Sequence, residues 1–267
     1  MYSMSNKVWN LKIKLDYDKF ILKFAPVAQR TEQFPSKEKV GCSNHPGGAT
    51  TIMYFKNRSD AGKRLTQRLL SYKDDENSLI LALPCGGVQV AAHVASALNL
   101  PLDLVIVRKI GVPNYPEVAL GAVNSEGVYV LNPDTAQYID RLTFEAERLK
   151  QIREAQLTKD ILKGDLPFKD PTGKNVILVD DGIATGTTSL AAIEIIKGQN
   201  PEKIVFAAPV CSPEALVKLQ NEVDELIVDL VPADFSAVSQ YYYDFRPVSD
   251  VMVRVILKEF ESKRDLL

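Results

Sequence analysis

Histidine is almost missing from this chain, which has only His45 and His93 among its 267 residues. A histidine-rich metal site is therefore excluded, and a Ser-His-Asp arrangement would have to rest on one of these two. Cysteine is equally sparse. Cys42, Cys85 and Cys211 are widely spaced and form no CxxC pair or Cys/His cluster. Such a set reads as reduced thiols, and the expectation is a cytoplasmic protein. No sign of charge dominates: 32 Lys and Arg face 34 Asp and Glu, for a net charge of −2. Balanced, interspersed charge gives no electrostatic case for a nucleic-acid or membrane partner, and neither is expected. No apolar run approaches the ~18–20 residues that would span a bilayer. The segment Phe20–Ala28 is short and lacks a signal-cleavage context. Internal repeats and low-complexity tracts are lacking too.

What remains is ordinary globular composition, 46% hydrophobic and 25% charged. The length suits one large domain, or one domain with an appendage, and a core that needs no disulfide or metal staple. Regular alternation begins only at Met53. Before it, the stretch Pro35–Gly48 has neither helical nor strand period. One reading is a flexible N-terminal arm. Another comes from back-translation. Cys42-Ser43-Asn44-His45 can be encoded TGT-TCG-AAT-CAC, which contains GTTCGAATC, a sequence typical of the T-loop of tRNA genes. Pro26–Thr51 resembles the peptide obtained when such a gene is translated, and Met53 would then be the start. On either reading, residues 1–52 are an irregular extension without assigned function, and 53–267 form the functional domain.

Within that domain the apolar periods predict a helix over Arg58–Ser71, with Ala61, Leu65 and Leu69 on one face. Unbroken apolar runs at Ser78–Leu83, Leu102–Val107 and Asn175–Val179 predict parallel strands buried on both sides. Helices are expected at Val88–Leu98, Leu142–Leu162 and Thr187–Lys197. The long one should turn Leu142, Ala146, Leu149 and Ile152 inward. A Gly/Pro-rich loop is expected at Lys109–Pro116, with weaker strands at Val118–Val123 and Gly127–Leu131. Then come a strand at Lys203–Val210, a helix capped by Ser212-Pro213, a strand at Leu226–Leu230 and a closing helix at Val248–Phe260. This alternation predicts an α/β fold, a parallel sheet with helices on both faces. Ligands gather at the carboxyl ends of such strands, which points to the loops after Leu83, Val107 and Val179.

The loop after Val179 carries the chemistry: Asp180-Asp181-Gly182-Ile183-Ala184-Thr185-Gly186-Thr187-Thr188. A buried strand delivers two adjacent carboxylates, and a small-residue loop then enters a helix. Small residues let the backbone wrap an anion, and amides at the helix start point towards it. Thr185, Thr187 and Thr188 add hydroxyl donors. Carboxylates beside such a cradle suit a sugar phosphate, since they accept hydrogen bonds from vicinal hydroxyls. No Gly-Lys-Thr/Ser follows, so this is not a Walker A loop.

This segment closely resembles the phosphoribosyl pyrophosphate (PRPP) signature of type I phosphoribosyltransferases. Gly182 departs from it, at a position that is usually apolar. The likeness covers about 53–260 and is nearest to small stand-alone bacterial proteins described as predicted phosphoribosyltransferases, through VRKIGVPNYPEVALGAV, VDDGIATGTT and VPADFSAVSQYYYDF. It implies that Asp180 and Asp181 hold the ribose 2- and 3-hydroxyls, that Ala184–Thr188 cradle the 5-phosphate, and that Gly182 belongs to the PRPP-binding set. It implies that Pro84-Cys85-Gly86-Gly87 is the pyrophosphate loop, with Gly86 and Gly87 allowing close approach. Many relatives have a basic residue where Cys85 stands. Arg108 and Lys109 would serve the pyrophosphate, with Lys109 joining the two acids in catalysis, and the Gly/Pro-rich stretch would be a mobile flap. Magnesium would arrive on PRPP rather than in a protein cage.

The resemblance also implies a small C-terminal hood. Val231–Pro247 is the best remaining segment for it, and Phe235 and Tyr242 would stack on the acceptor base. If this stretch is extended, Tyr241 and Tyr243 share one side and Tyr242 the other. The plainer alternative is that these rings pack the final helix on the sheet. The implied activity is phosphoribosyl transfer to a nucleobase or similar nitrogen acceptor. A PRPP- or nucleotide-sensing regulatory module and a nucleotide or PRPP hydrolase stay open. Acceptor and oligomeric state are not readable.

Overall fold

The computed structural model describes residues 54–264, so the extension read at residues 1–52 lies outside them. In chain order the strands are β1 (Ser78–Ala82), β2 (Leu102–Leu104), β3 (Val107–Val112), β4 (Tyr115–Asn124), β5 (Tyr129–Leu131), β6 (Asn175–Val179), β7 (Lys203–Val210) and β8 (Glu225–Leu230). The helices are α1 (Arg58–Arg68), α2 (Gly86–Leu98), α3 (Pro133–Ala136), α4 (Arg141–Leu162), α5 (Thr187–Lys197), α6 (Pro213–Leu219) and α7 (Asp250–Arg264). Five strands form a parallel sheet in the order β2-β1-β6-β7-β8.

The unbroken apolar runs become strands because both of their faces are covered. Ile80, Ala82, Ile177, Val179, Val205 and Ala207 pack with residues of α1, α2 and α7. Their neighbours Leu79, Leu81, Val176, Leu178, Ile204 and Phe206 pack with α5 and α6. Period-two alternation thus feeds two apolar layers, one on each side of the sheet. Helix starts follow their side-chain caps: Asn57 accepts from the Asp60 amide, and Ser212 Oγ accepts from the Ala215 amide at 3.0 Å. Among the described residues no helix is long and apolar enough to cross a membrane.

Between β2 and β6 the expected strands at Val118–Val123 and Gly127–Leu131 and the long helix are present, but one expectation fails. The stretch Lys109–Pro116 is not a loop. It belongs to β3 and β4, which with β5 make a separate antiparallel sheet. Its tight turn is Pro113-Asn114, and Asn114 takes a φ of 66°, a left-handed conformation asparagine tolerates. α4 covers this sheet through Phe144, which is buried with Ile110, Leu120 and Val123. The inward face of α4 is therefore Phe144, Ala155 and Leu162, whereas the expected Leu142 is 83% exposed. The long helix serves two neighbours in succession, so no single stripe describes it.

The chain after β8 returns over the carboxyl edge of the sheet. Phe55 and Tyr242 form a parallel bridge, with the Phe55 amide donating to Tyr241 O at 2.8 Å and the Tyr243 amide to Phe55 O at 2.9 Å. Phe55, Val210, Tyr241 and Tyr242 bury one another there, with Phe235, Val238 and Phe245 packed against them.

Candidate active site

The site begins where β6 ends. Asp180 keeps a last sheet contact, its amide donating to Ala207 O at 3.3 Å, while its carboxylate accepts from the Asp181 amide at 2.8 Å. Burial pushes the Asp180 carboxyl well above the usual carboxylate range, and the adjacent Asp181 charge pushes the same way. Asp181 is held differently. Its Oδ2 accepts from Arg58 Nε at 2.7 Å, and its carbonyl accepts from the Tyr242 hydroxyl at 2.6 Å. Burial holds that phenol strongly raised, so Tyr242 is a neutral donor.

The loop after β1 meets these acids directly. A Cβ on Gly86 would lie 1.9 Å from Asp181 Oδ2, and one on Gly87 would lie 2.9 Å from Asp180 Cα. No larger residue fits at either position, so the two glycines let one loop close on the other. Both open α2 rather than preceding it. The Pro84-Cys85 peptide between β1 and α2 is cis. Cys85 Sγ donates to Asp250 Oδ1 at 3.7 Å, and burial with the nearby Asp250 charge pushes the thiol up. A thiol held protonated is a poor nucleophile.

The other half of the site is the turn into α5. Ala184, Thr185, Thr187 and Thr188 are exposed, and Gly186 takes a φ of 73° as the helix cap without any side-chain cap bond. Among the described residues the start of α5 is bonded there only by the long 3.5 Å contact of the Thr187 amide with Thr185 Oγ1, which leaves its positive end available to an anion. Thr185 Oγ1 stands 3.3 Å from Thr187 Oγ1. The loop is tied from behind by Ser212, whose amide donates to Ile183 O at 2.9 Å and whose Oγ donates to Ala184 O at 2.5 Å. Gly182, the departure from the signature, has a local cause. A Cβ there would lie 2.4 Å from Val238 Cγ1 and 2.9 Å from Val210 Cγ1, so Val238 fills the space a larger residue would take.

Asp180, Asp181, Gly86, Gly87 and the Gly182–Thr188 turn are thus grouped at one sheet edge. Arg108 and Lys109 sit on β3 instead. Arg108 Nη2 donates to Thr158 Oγ1 of α4 at 2.9 Å, and Lys109 next to it is exposed. The structure directs the Arg108 guanidinium at α4. Tyr242 needs a correction as a base-stacking residue. It is 6% exposed, with Phe55 and Phe245 rings at 5.2 and 4.9 Å, so its faces are already used. The expected alternation is also replaced: Val238–Tyr241 is a 3₁₀ turn, burying both Tyr241 and Tyr242 and leaving Tyr243 77% exposed. Phe235 is half-buried and stacked on Tyr241 at 5.7 Å.

Arg58 was missed in the sequence reading. It stands at the first position of α1, where the helix dipole opposes a cation. That misplacement was the available signal. Its partner Asp181 lies 123 residues away.

Comparison with known proteins gives the family. The family described as "Phosphoribosyl transferase domain" matches residues 50–246. The chain belongs to this family. It is a family of glycosyltransferase-type enzymes. The crystal structure of TT1426 from Thermus thermophilus is 39% identical and superposes with a TM-score of 0.70, over 78% of this chain and 99% of that one. A protein of Mycobacterium tuberculosis (strain ATCC 25618 / H37Rv) named "Putative phosphoribosyl transferase" is 38% identical over 198 residues, 73% of this chain and 44% of its own length. The chain therefore spans less than half the length of this curated relative. A uracil phosphoribosyltransferase of Nicotiana tabacum is 39% identical over a shorter stretch of 71 residues, 26% of this chain and 32% of that one.

Proposed function

We propose that the protein transfers the 5-phosphoribosyl group of PRPP, which enters as its magnesium complex, to a nitrogen acceptor with release of pyrophosphate. The observation that carries this reading is the contact of Gly86-Gly87 with Asp180-Asp181, which sets a close-approach loop beside paired carboxylates and the open start of α5. The acids would accept hydrogen bonds from the ribose 2- and 3-hydroxyls. Thr185–Thr188 would take the 5-phosphate through backbone amides and hydroxyls. The anomeric carbon–oxygen bond breaks with its electron pair leaving on pyrophosphate, the acceptor nitrogen bonds to that carbon, and its proton passes to solvent. Such a reaction asks mainly for positioning and charge stabilisation at an oxocarbenium-like ribose. Lys109, on the antiparallel sheet, would reach the pyrophosphate when that sheet closes.

Two other readings, a PRPP sensor and a PRPP hydrolase, differ in product. Incubation with PRPP, Mg²⁺ and a panel of nucleobases, followed by mass detection, separates them. A nucleotide together with pyrophosphate is the expected outcome. Ribose phosphate released without any acceptor would replace transfer by hydrolysis, and binding without turnover would make the protein a sensor.

A further inference from the structure

PRPP brings a diphosphate and a 5-phosphate to a sheet edge that already bears Asp180 and Asp181. Asp181 and the phosphates are alike in charge, and a fixed protein cation beside them would add to the Mg²⁺ that PRPP carries in offsetting their repulsion. The Pro84–Gly87 loop contains no basic residue. Arg108 is engaged with Thr158 on α4. Among the described residues the cation paired with Asp181 is Arg58, 6% exposed, with its Nε on Asp181 Oδ2 at 2.7 Å and its Nη1 donating to Arg246 O at 2.9 Å. Its guanidinium lies on the Phe245 ring at 3.9 Å.

Three anchors fix this group in place, yet they use only two of its nitrogens. Among the described residues Nη2 has no hydrogen-bond partner. A cavity of about 340 Å³ opens against the same side chain, walled also by Asn57, Ser59, Gln89 and Arg246. Gln89 belongs to the first turns of α2, the helix that Gly86 and Gly87 open. Arg58 is also the nearest side chain to Gly86 after Asp181, its Nε lying 3.1 Å from where a Cβ would be. The guanidinium therefore stands between Asp181 and the cavity, beside the close-approach loop. A group so buried is held in one orientation before any ligand arrives, and a planar guanidinium suits a phosphate oxygen. The remaining charged groups on this cavity, Asp244 and Arg246, pair with each other at 2.7 Å, so the Arg58–Asp181 pair is the other charged feature beside it.

We infer that Arg58 is a second, fixed cation of the pyrophosphate end of the site beside Lys109, fixing Asp181 through Nε and presenting Nη2 to the diphosphate. This rests on the phosphoribosyl-transfer reading above. It assigns the role to a residue of α1, outside both the Pro84–Gly87 loop and the antiparallel sheet.

Calorimetric titration with PRPP, inorganic pyrophosphate and ribose 5-phosphate, all with Mg²⁺, tests it on wild type, Arg58→Gln and Arg58→Lys. Arg58→Gln should weaken PRPP and pyrophosphate roughly ten- to a hundredfold, the effect of losing a charge-assisted hydrogen bond, and shift ribose 5-phosphate far less. Arg58→Lys, which keeps the charge, should recover part of the pyrophosphate affinity. If Arg58→Gln does not fold, judged by its circular dichroism, the selectivity of Arg58→Lys between the same two ligands decides in its place. A wild type that binds no PRPP would overturn the transfer reading itself. A wild type that binds PRPP, with variants that lose all three ligands equally, would leave that reading standing and overturn the role given to Arg58.

Discussion

Gly182 and Val238 share one space: the absent side chain of the first is filled by the isopropyl group of the second, to within 2.4 Å of where a Cβ would be. The turn after β6 and the C-terminal segment are thus fitted to each other. Gly182→Ala should overpack this contact and cost about 1–3 kcal/mol in urea unfolding. In a Val238→Ala background the same substitution should cost much less. Equal costs in both backgrounds would mean that the two residues do not compete for the space.

Asp180 makes stability depend on pH in an unusual direction. Its carboxyl is raised in the folded state by burial and by Asp181, so the folded protein holds its proton more tightly than the unfolded chain does. Stability from this group is full below the ordinary carboxylate pKa and falls as pH rises towards the raised folded value. Asp180→Asn should therefore melt higher than wild type near neutral pH, with the difference vanishing at acidic pH. A variant that melts lower than wild type throughout this range would contradict the assignment.

The two aromatic residues first considered for base stacking should now behave differently. Tyr242→Phe should lose about 1 kcal/mol with its bond to Asp181 O, and Tyr242→Ala about 3–5 kcal/mol as a deleted core ring. Phe235→Ala, at a half-buried position, should cost less stability and impair use of the base. Unfolding curves measured beside nucleotide formation per folded molecule check both statements. Full activity in Phe235→Ala would remove that residue from the acceptor site.

Lys109 should act on pyrophosphate. Lys109→Ala is expected to raise the inhibition constant of pyrophosphate more than that of ribose 5-phosphate. Equal increases would contradict a pyrophosphate role.

The parallel sheet was legible because β1, β6 and β7 are buried on both faces, which forces unbroken apolar runs such as Leu79–Ala82 and Val176–Val179. The paired acids and the Thr/Gly turn were legible because they are consecutive in the sequence, directly after an unbroken apolar strand. The antiparallel sheet was legible only in part: β5 and the later half of β4 were expected, but β3 and the start of β4 were not, since Gly111, Pro113 and Asn114 are also loop residues. The buried face of α4 was obscured because Phe144 packs on the antiparallel sheet while Ala155 and Leu162 join the main core. Arg58 and Tyr242 escaped for a different reason. Both reach Asp181 across long sequence separations, and no local pattern records such a contact.

The claim on which the rest depends is that Asp180–Thr188 binds ribose phosphate, and PRPP titration in Mg²⁺ tests it most directly. Wild type should bind in the micromolar-to-millimolar range of ordinary substrates. The double substitution Asp180→Asn with Asp181→Asn should lose at least tenfold while its circular dichroism stays that of wild type. Undiminished PRPP affinity in that folded double variant would contradict the account.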